Sequence, residues 1–209
     1  MREQVRIGVG GFASDVGKTT LMCHLLQSFP GWEAIKTTRG HYRSCGKDPK
    51  ACCVSHLLAD EPVIFSGRRD TYDSVKDTGR YWDAGASNVH WVITTDKQVK
   101  VGIRQALGRV TGPGVFIEGN SFSEYVDIDF LIIVARPAGG TIKSSARQAL
   151  KKASAIYLSE PGNPEGFSSQ LSERLGGGIA PVRCYSAEEL PRLVTQIRKL
   201  SAPTKFFSR

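Results

Sequence analysis

The chain has 209 residues, 40% of them hydrophobic and 23% charged, with 22 Gly and 10 Pro. This suits one α/β domain with its own core, and it excludes a collagen, a disulfide scaffold and a wholly disordered chain. Lys and Arg number 28 against 20 Asp and Glu, and the net charge of +8 favours anionic partners. The basic residues are spread along the chain, so phosphorylated small molecules rank ahead of nucleic acid. No window nears the ~18 uncharged apolar residues of a membrane span. The opening MREQVRIGVGGF has no apolar run suited to a signal peptide, so a cytoplasmic address is expected.

Short apolar runs alternate with amphipathic stretches. Val5–Gly10 reads as a buried first strand, Thr19–Phe29 as a helix and Trp32–Lys36 as a second strand closed off by the polar TTRGHYRSCGKDPK. Val89–Thr94, Val115–Glu118 and Phe130–Ala135 read as further strands, the last apolar enough to be buried on both faces. Lys143–Ala153 and Ala187–Leu200 read as helices, with Ala155–Leu158 as a strand between them. The alternation predicts a three-layer α/β fold, a mostly parallel sheet with helices on both faces, forming one domain over residues 1–209. No repeat or low-complexity linker divides it. In such a fold, ligands sit at the carboxyl ends of the strands.

The strongest chemical signal is Gly10-Gly11-Phe12-Ala13-Ser14-Asp15-Val16-Gly17-Lys18-Thr19-Thr20, set between the first strand and the first helix. Glycines let backbone N–H groups turn toward phosphate oxygens, and the helix N-terminus adds partial positive charge. Lys18 is suited to the β- and γ-phosphates of a nucleotide and the Thr19 hydroxyl to Mg²⁺. Five residues separate Gly11 from Gly17, one more than in the common phosphate-binding loop. Asp15 puts a carboxylate among phosphate-directed amides, where it either orients a metal-bound water or substrate or faces solvent.

Further features are candidates. Glu118 ends an apolar strand immediately before Gly119, and Asp77 lies in the polar TYDSVKDTGR, where it is a metal-sphere residue or a helix cap. Lys36 ends the second strand, where a cation would counter γ-phosphate charge. His41, Cys45, Cys52, Cys53 and His56 lie within sixteen residues. Their spacing matches no tetrahedral metal pattern, so packing, a metal or redox site and a substrate-contact loop all stay open. Cys23 reads as core within the first helix. The Asn-Lys-x-Asp guanine signature is absent, and Ser159, Glu160 and Asn163 after a late strand are candidates for the purine edge.

The lengthened loop GFASDVGKT resembles that of the dethiobiotin synthetase family. VKDTGRYWDAGASNV, residues 75–89, resembles a segment of the molybdopterin-guanine dinucleotide biosynthesis protein B family, and IEGNS at 117–121 is similar to a strand-end Glu-Gly of both. The resemblance, over residues 5–121, implies a P-loop NTPase of the class that includes signal-recognition and MinD-type proteins. It implies GTP or ATP bound through Gly11, Ser14, Asp15, Val16, Gly17, Lys18, Thr19, Thr20 and Asn163, with Mg²⁺ on Thr19, Asp77 and Glu118. Lys18, Lys36 and Glu118 would be catalytic, and the protein a homodimer with a small-molecule or protein partner. Gly11 and Phe12 stand where MinD-like proteins carry a second lysine, which argues against that type. Two functions follow from the resemblance: an accessory GTP- or ATP-binding factor of molybdenum-cofactor biosynthesis with weak hydrolysis, or an ATP-dependent ligase or small-molecule kinase that activates a carboxylate or carbamate by phosphorylation, similar to dethiobiotin synthetase. A nucleotide- or metal-sensing module is the third reading.

Overall fold

The computed structural model describes residues 4–40, 54–138, 140–175 and 182–201. Eight strands form one sheet: β1 (Val5–Gly11), β2 (Glu33–Arg39), β3 (Val63–Ser66), β4 (Val89–Thr94), β5 (Gly114–Glu118), β6 (Phe130–Ala135), β7 (Ala155–Leu158) and β8 (Arg183–Tyr185). Their spatial order is β3-β4-β2-β5-β1-β6-β7-β8. All described pairings are parallel except β3 with β4, which is antiparallel. The helices are α1 (Lys18–Ser28), α2 (Arg68–Thr71), α3 (Asp77–Asp83), α4 (Val99–Leu107), α5 (Ser144–Leu150), α6 (Pro164–Arg174) and α7 (Leu190–Ser201). The expected α/β architecture is therefore present.

Strand alternation builds two cores. Ile7 and Val9 of β1, Phe116 of β5 and Ile132 and Val134 of β6 face α1, α3 and α7, meeting Leu21, Leu25, Tyr81, Leu193 and Ile197. Val115, Ile117, Leu131 and Ile133 face the other way, onto Ile103 and Ala106 of α4, Ala146 and Ala149 of α5 and Phe167 of α6. Period-two side-chain direction makes a strand buried on both faces read as an unbroken apolar run, which is why β5 and β6 are plain in the sequence.

Several boundaries differ from expectation. β2 does not stop at Lys36. Thr37, Thr38 and Arg39 continue it, opposite Val92, Ile93 and Thr94 of β4. Pairing from a neighbouring strand carries residues whose own chemistry suggests a turn. The stretch after β7, SEPGNPEGF, contains the start of α6, with Pro164 in its first turn and Asn163 capping it. β3, β8, α2, α3 and α4 lie in stretches assigned no element from sequence. α5 is shorter than expected, and the helix expected from Ala187 begins as a 3-10 turn before α7.

At the amino end of β2 lies a buried polar knot. Glu33 is 1% exposed and its Oε2 lies 2.8 Å from Nε2 of equally buried His90. Its Oε1 accepts from the backbone N–H of Thr111 (2.8 Å) and Gly112 (2.7 Å) and from the Thr111 hydroxyl (3.0 Å). The other imidazole nitrogen meets Ser66 Oγ at 2.9 Å. One carboxylate thus ties β2 to β4 and to the turn entering β5, at the end of the sheet away from the loop.

Candidate functional site

The carboxyl ends of β1, β2 and β5 converge. Register places Glu118 beside both Val9 of β1 and Lys36 of β2, so these ends form one floor. After Gly11 the chain turns through residues 12–17 into α1. Asp15 has φ 56° and Gly17 φ 94°. A Cβ on Gly17 would in addition lie 2.7 Å from Cβ of Ser159, so both backbone sign and space call for glycine. Asn120, which sequence reasoning passed over, clamps the strand end: Oδ1 accepts from Gly11 N at 2.8 Å and Nδ2 donates to Gly11 O at 2.9 Å. Arg136, also unforeseen, donates to the Asp15 carbonyl at 2.6 Å and pairs with Glu160 at 3.2 Å.

The loop residues do not all serve alike. The Gly11 amide is committed to Asn120, so its contribution is room: a Cβ there would lie 2.7 Å from Val16 Cγ2 and 2.9 Å from Lys18 Cδ. Val16 is 5% exposed and packs into the core, leaving its backbone as the group available to a ligand. Ser14, Asp15 and Thr20 are exposed around the cleft. Asn163 caps α6. Its Oδ1 accepts from the N–H groups of Glu165 (3.0 Å) and Gly166 (3.2 Å), and the neighbouring cavity of about 270 Å³ is lined instead by Arg136, Ser159 and Glu160. An asparagine just before Pro-Glu-Gly is a helix-cap signal as well as a base-contact one.

A charged centre occupies the floor. Lys36 Nζ lies 2.7 Å from Asp77 Oδ2 and 2.5 Å from Glu118 Oε1. Thr19 Oγ1 donates to Glu118 Oε2 at 3.3 Å, and the buried Tyr81 hydroxyl donates to the same oxygen. The Thr37 hydroxyl donates to the Glu118 carbonyl at 2.6 Å, beneath Gly119 at φ 144°. Burial would lower the Lys36 ammonium, but Glu118 and Asp77 outweigh it and hold Lys36 above its ordinary value. Burial would raise the Asp77 carboxyl, but Lys36 and a hydrogen bond from Thr19 bring it below the ordinary value. Burial, then the Glu118 charge, pushes Tyr81 well above an ordinary phenol, so it remains a donor at any working pH. α3 presents both residues of this set: Asp77 in its first turn and Tyr81 one turn on.

Lys18 and Lys143 complete the rim. Lys18 Nζ donates to the Ala13 carbonyl at 3.1 Å, and Lys143 Nζ donates to Ser14 Oγ at 2.8 Å. Among the described residues neither lies within ion-pair distance of a carboxylate. Burial lowers the Lys18 ammonium, and the charges of Lys36 and Lys143 add to this against the opposing pull of Glu118 and Asp15. Lys143 approaches the loop because its backbone N–H bonds the Phe12 carbonyl at 2.9 Å, a placement 125 residues from Lys18 that no local pattern reveals. The cleft they enclose has a volume of about 640 Å³.

Thr19, Asp77 and Glu118 bring together hard oxygen donors of the kind Mg²⁺ takes, with the Lys36 ammonium between the two carboxylates. No group of three His, Cys, Asp or Glu suited to a metal occurs among the described residues. Mg²⁺ would therefore take further oxygens from water and phosphate, as this ion does. His41, Cys45, Cys52 and Cys53 lie outside the described residues; His56 is exposed in a 3-10 turn, Ser55–Leu57. Cys23 is half-buried, its Sγ 3.6 Å from the Arg80 carbonyl, rather than fully in the core.

Tyr81→Phe removes one hydrogen bond from Glu118 with no change in shape. It is expected to lower the stability of the fold by about 1–2 kcal/mol, measured by urea denaturation.

No protein-family model matches the chain, and no curated protein matches it. Among solved structures it is similar to LpxK from Aquifex aeolicus, crystallised in complex with ATP, with 16% identity over 88% of this chain and 71% of that one, at a TM-score of 0.46. It is also similar to a Zn(II)-bound triple mutant of the YjiA GTPase, with 14% identity over 89% of this chain and 58% of that one, at a TM-score of 0.40. No helix among the described residues is long and apolar enough to cross a membrane.

Proposed function

We propose that this protein binds a purine nucleoside triphosphate with Mg²⁺ in the cleft between the loop and β2, and acts on its γ-phosphoryl group. One observation carries the reading: two ammonium groups without carboxylate partners among the described residues, Lys18 and Lys143, face a cleft whose floor holds Thr19, Lys36, Asp77 and Glu118. Cations left unpaired in a cleft suit an anionic ligand.

The roles follow from position. Backbone amides between Ser14 and Thr20 receive phosphate oxygens at the start of α1. Lys18 and Lys143 spread the charge of the β- and γ-phosphates, and Lys36 offsets charge that builds on the transferring group. Thr19, Asp77 and Glu118 would hold Mg²⁺, which supplies charge neutralisation across the phosphates when bound. The cavity beside Ser159, Glu160 and Arg136 lies next to Gly17 and Thr20, where the nucleoside end would extend.

The resemblance of residues 75–89 to the molybdopterin-guanine dinucleotide biosynthesis protein B family supports an accessory role in molybdenum-cofactor biosynthesis; that segment delivers Asp77 to Lys36 and Tyr81 to Glu118. A second reading, phosphorylation of a small molecule, is favoured by a cavity beyond Lys18. Titration calorimetry with ATP, GTP and non-hydrolysable analogues, with and without Mg²⁺, tests the shared claim. Saturable, Mg²⁺-enhanced binding is expected, and its absence for both nucleotides would sink it. Glu118→Gln is expected to lower turnover by about 10- to 100-fold with a smaller change in Kd. Unchanged hydrolysis would remove Glu118 from the mechanism.

A further inference from the structure

Glu118 and Asp77 already hold a cation, and it is a side chain of the protein. Lys36 Nζ stands between them, 2.5 Å from Glu118 Oε1 and 2.7 Å from Asp77 Oδ2. The other Glu118 oxygen accepts from the Thr19 and Tyr81 hydroxyls, so the protein's own donors engage both oxygens of this carboxylate. The Glu118 side chain is only 3% exposed. A carboxylate buried to that degree requires a positive partner, and Lys36 supplies it. The three groups assigned to Mg²⁺ are thus closed onto one another and onto an ammonium.

We infer that Lys36 is a positioning residue that keeps divalent metal out of this centre until a triphosphate draws its ammonium away. The inference rests on the nucleotide reading above and adds an order of binding to it. Two observations support it. The first is space and charge. A metal on Glu118 Oε1, bonded at about 2.1 Å, would lie less than about 5 Å from an ammonium that kept its place on the same oxygen. Repulsion between a divalent and a monovalent cation at that range, in a half-buried site, is strong. The second is that Lys36 has somewhere to go. Its backbone is fixed in β2, paired with Glu118 on one side and Trp91 on the other. Its ammonium rides on a flexible stem and lines the same cleft as Lys18, Thr37 and Lys143.

A triphosphate in the cleft offers Lys36 oxygens that carry more negative charge than the two carboxylates do. The side chain can turn to them without any change in the sheet. Asp77, Glu118 and Thr19, left without their counter-charge, then accept the Mg²⁺ that accompanies the nucleotide. Metal and nucleotide therefore enter together, and free Mg²⁺ finds the centre closed.

The test titrates Mn²⁺, as the probe for Mg²⁺, into the full-length protein without nucleotide and follows the paramagnetic resonance signal of the free ion. Lys36→Met keeps an unbranched stem and removes the charge. It is expected to take up Mn²⁺ with a Kd at least about tenfold below that of the unaltered protein. Lys36→Gln, which still offers Glu118 a hydrogen bond, is expected to show a gain in the same direction and serves in its place if Lys36→Met does not fold. Lys36→Arg retains the charge and is expected to stay as closed as the unaltered protein. Adding Asp77→Asn to the neutral variant is expected to abolish the gain, which assigns the gained site to this centre. No gain in the neutral variants overturns the inference, as does an equal gain in Lys36→Arg or a gain that Asp77→Asn leaves intact. The titration uses no nucleotide, so its outcome stands apart from the nucleotide reading, whose failure is the absence of triphosphate binding by the unaltered protein.

Discussion

Lys18→Ala is expected to weaken triphosphate binding by about 100-fold or more, because it removes an ammonium that, among the described residues, has no carboxylate within ion-pair distance. A charge-assisted hydrogen bond to a desolvated phosphate contributes about 1.5–3 kcal/mol, and Lys18 is positioned for more than one. The effect should fall with each phosphate removed from the ligand, so calorimetry with tri-, di- and monophosphate separates it from general damage. Equal loss for all three would indicate a collapsed loop rather than a missing cation.

The same lysine carries a stability cost in the nucleotide-free protein. Its folded-state value lies below that of an ordinary lysine, chiefly through burial. The unfolded chain then binds more protons at this group than the folded one, so its contribution to stability improves as pH rises through the lowered value. Lys18→Met keeps the apolar stem and removes the charge. It is expected to unfold at equal or higher urea concentration than the parent without nucleotide, and to gain nothing on adding triphosphate, whereas the parent is stabilised by ligand. A Lys18→Met protein still stabilised by the nucleotide would show that Lys18 does not grip the phosphates.

Glu33→Ala is expected to destabilise the fold by about 3–5 kcal/mol, the range for removing one member of a buried, hydrogen-bonded set. It leaves the N–H groups of Thr111 and Gly112 and the ring of His90 without their shared acceptor, in a region closed to water. Burial alone would raise this carboxyl, but the hydrogen bonds from His90, Thr111 and Gly112 prevail and hold it below its ordinary 4.5. Its stabilisation is thus fully present above about pH 4.5, the unfolded value, and is lost as pH falls through the lower folded one. Urea denaturation from neutral pH into that acid range should show the parent losing this contribution, and Glu33→Ala lacking that part of the pH dependence. Nucleotide affinity of the folded variant should hold, since the knot lies at the far end of the sheet from the loop. A loss under 1 kcal/mol would mean that water or another group replaces the carboxylate.

Local chemistry made much of this protein legible. β4, β6 and β7 occupy the residues that their apolar runs indicate, and the loop lies between β1 and α1 where Gly-Lys-Thr places it. Those features depend on neighbours within a few positions: side-chain alternation, glycine's tolerance of positive φ, and a helix N-terminus. Lys36, Asp77 and Glu118 were also singled out from strand ends and a polar segment, and the fold joins them into one ion-paired centre. Asn163 caps α6, a role its place before Pro-Glu-Gly also signals.

What remained hidden is non-local. The threonines and arginine after Lys36 become strand only because β4 offers them partners. Asn120, Arg136 and Lys143 reach the loop from 109 to 129 residues away in the chain, and Tyr81 meets Glu118 across 37. Polar side chains carry no periodic signature of the partner they will meet. Folding alone selects among the many pairings that donor and acceptor types permit, because burial of the strands' apolar faces decides which distant groups come together.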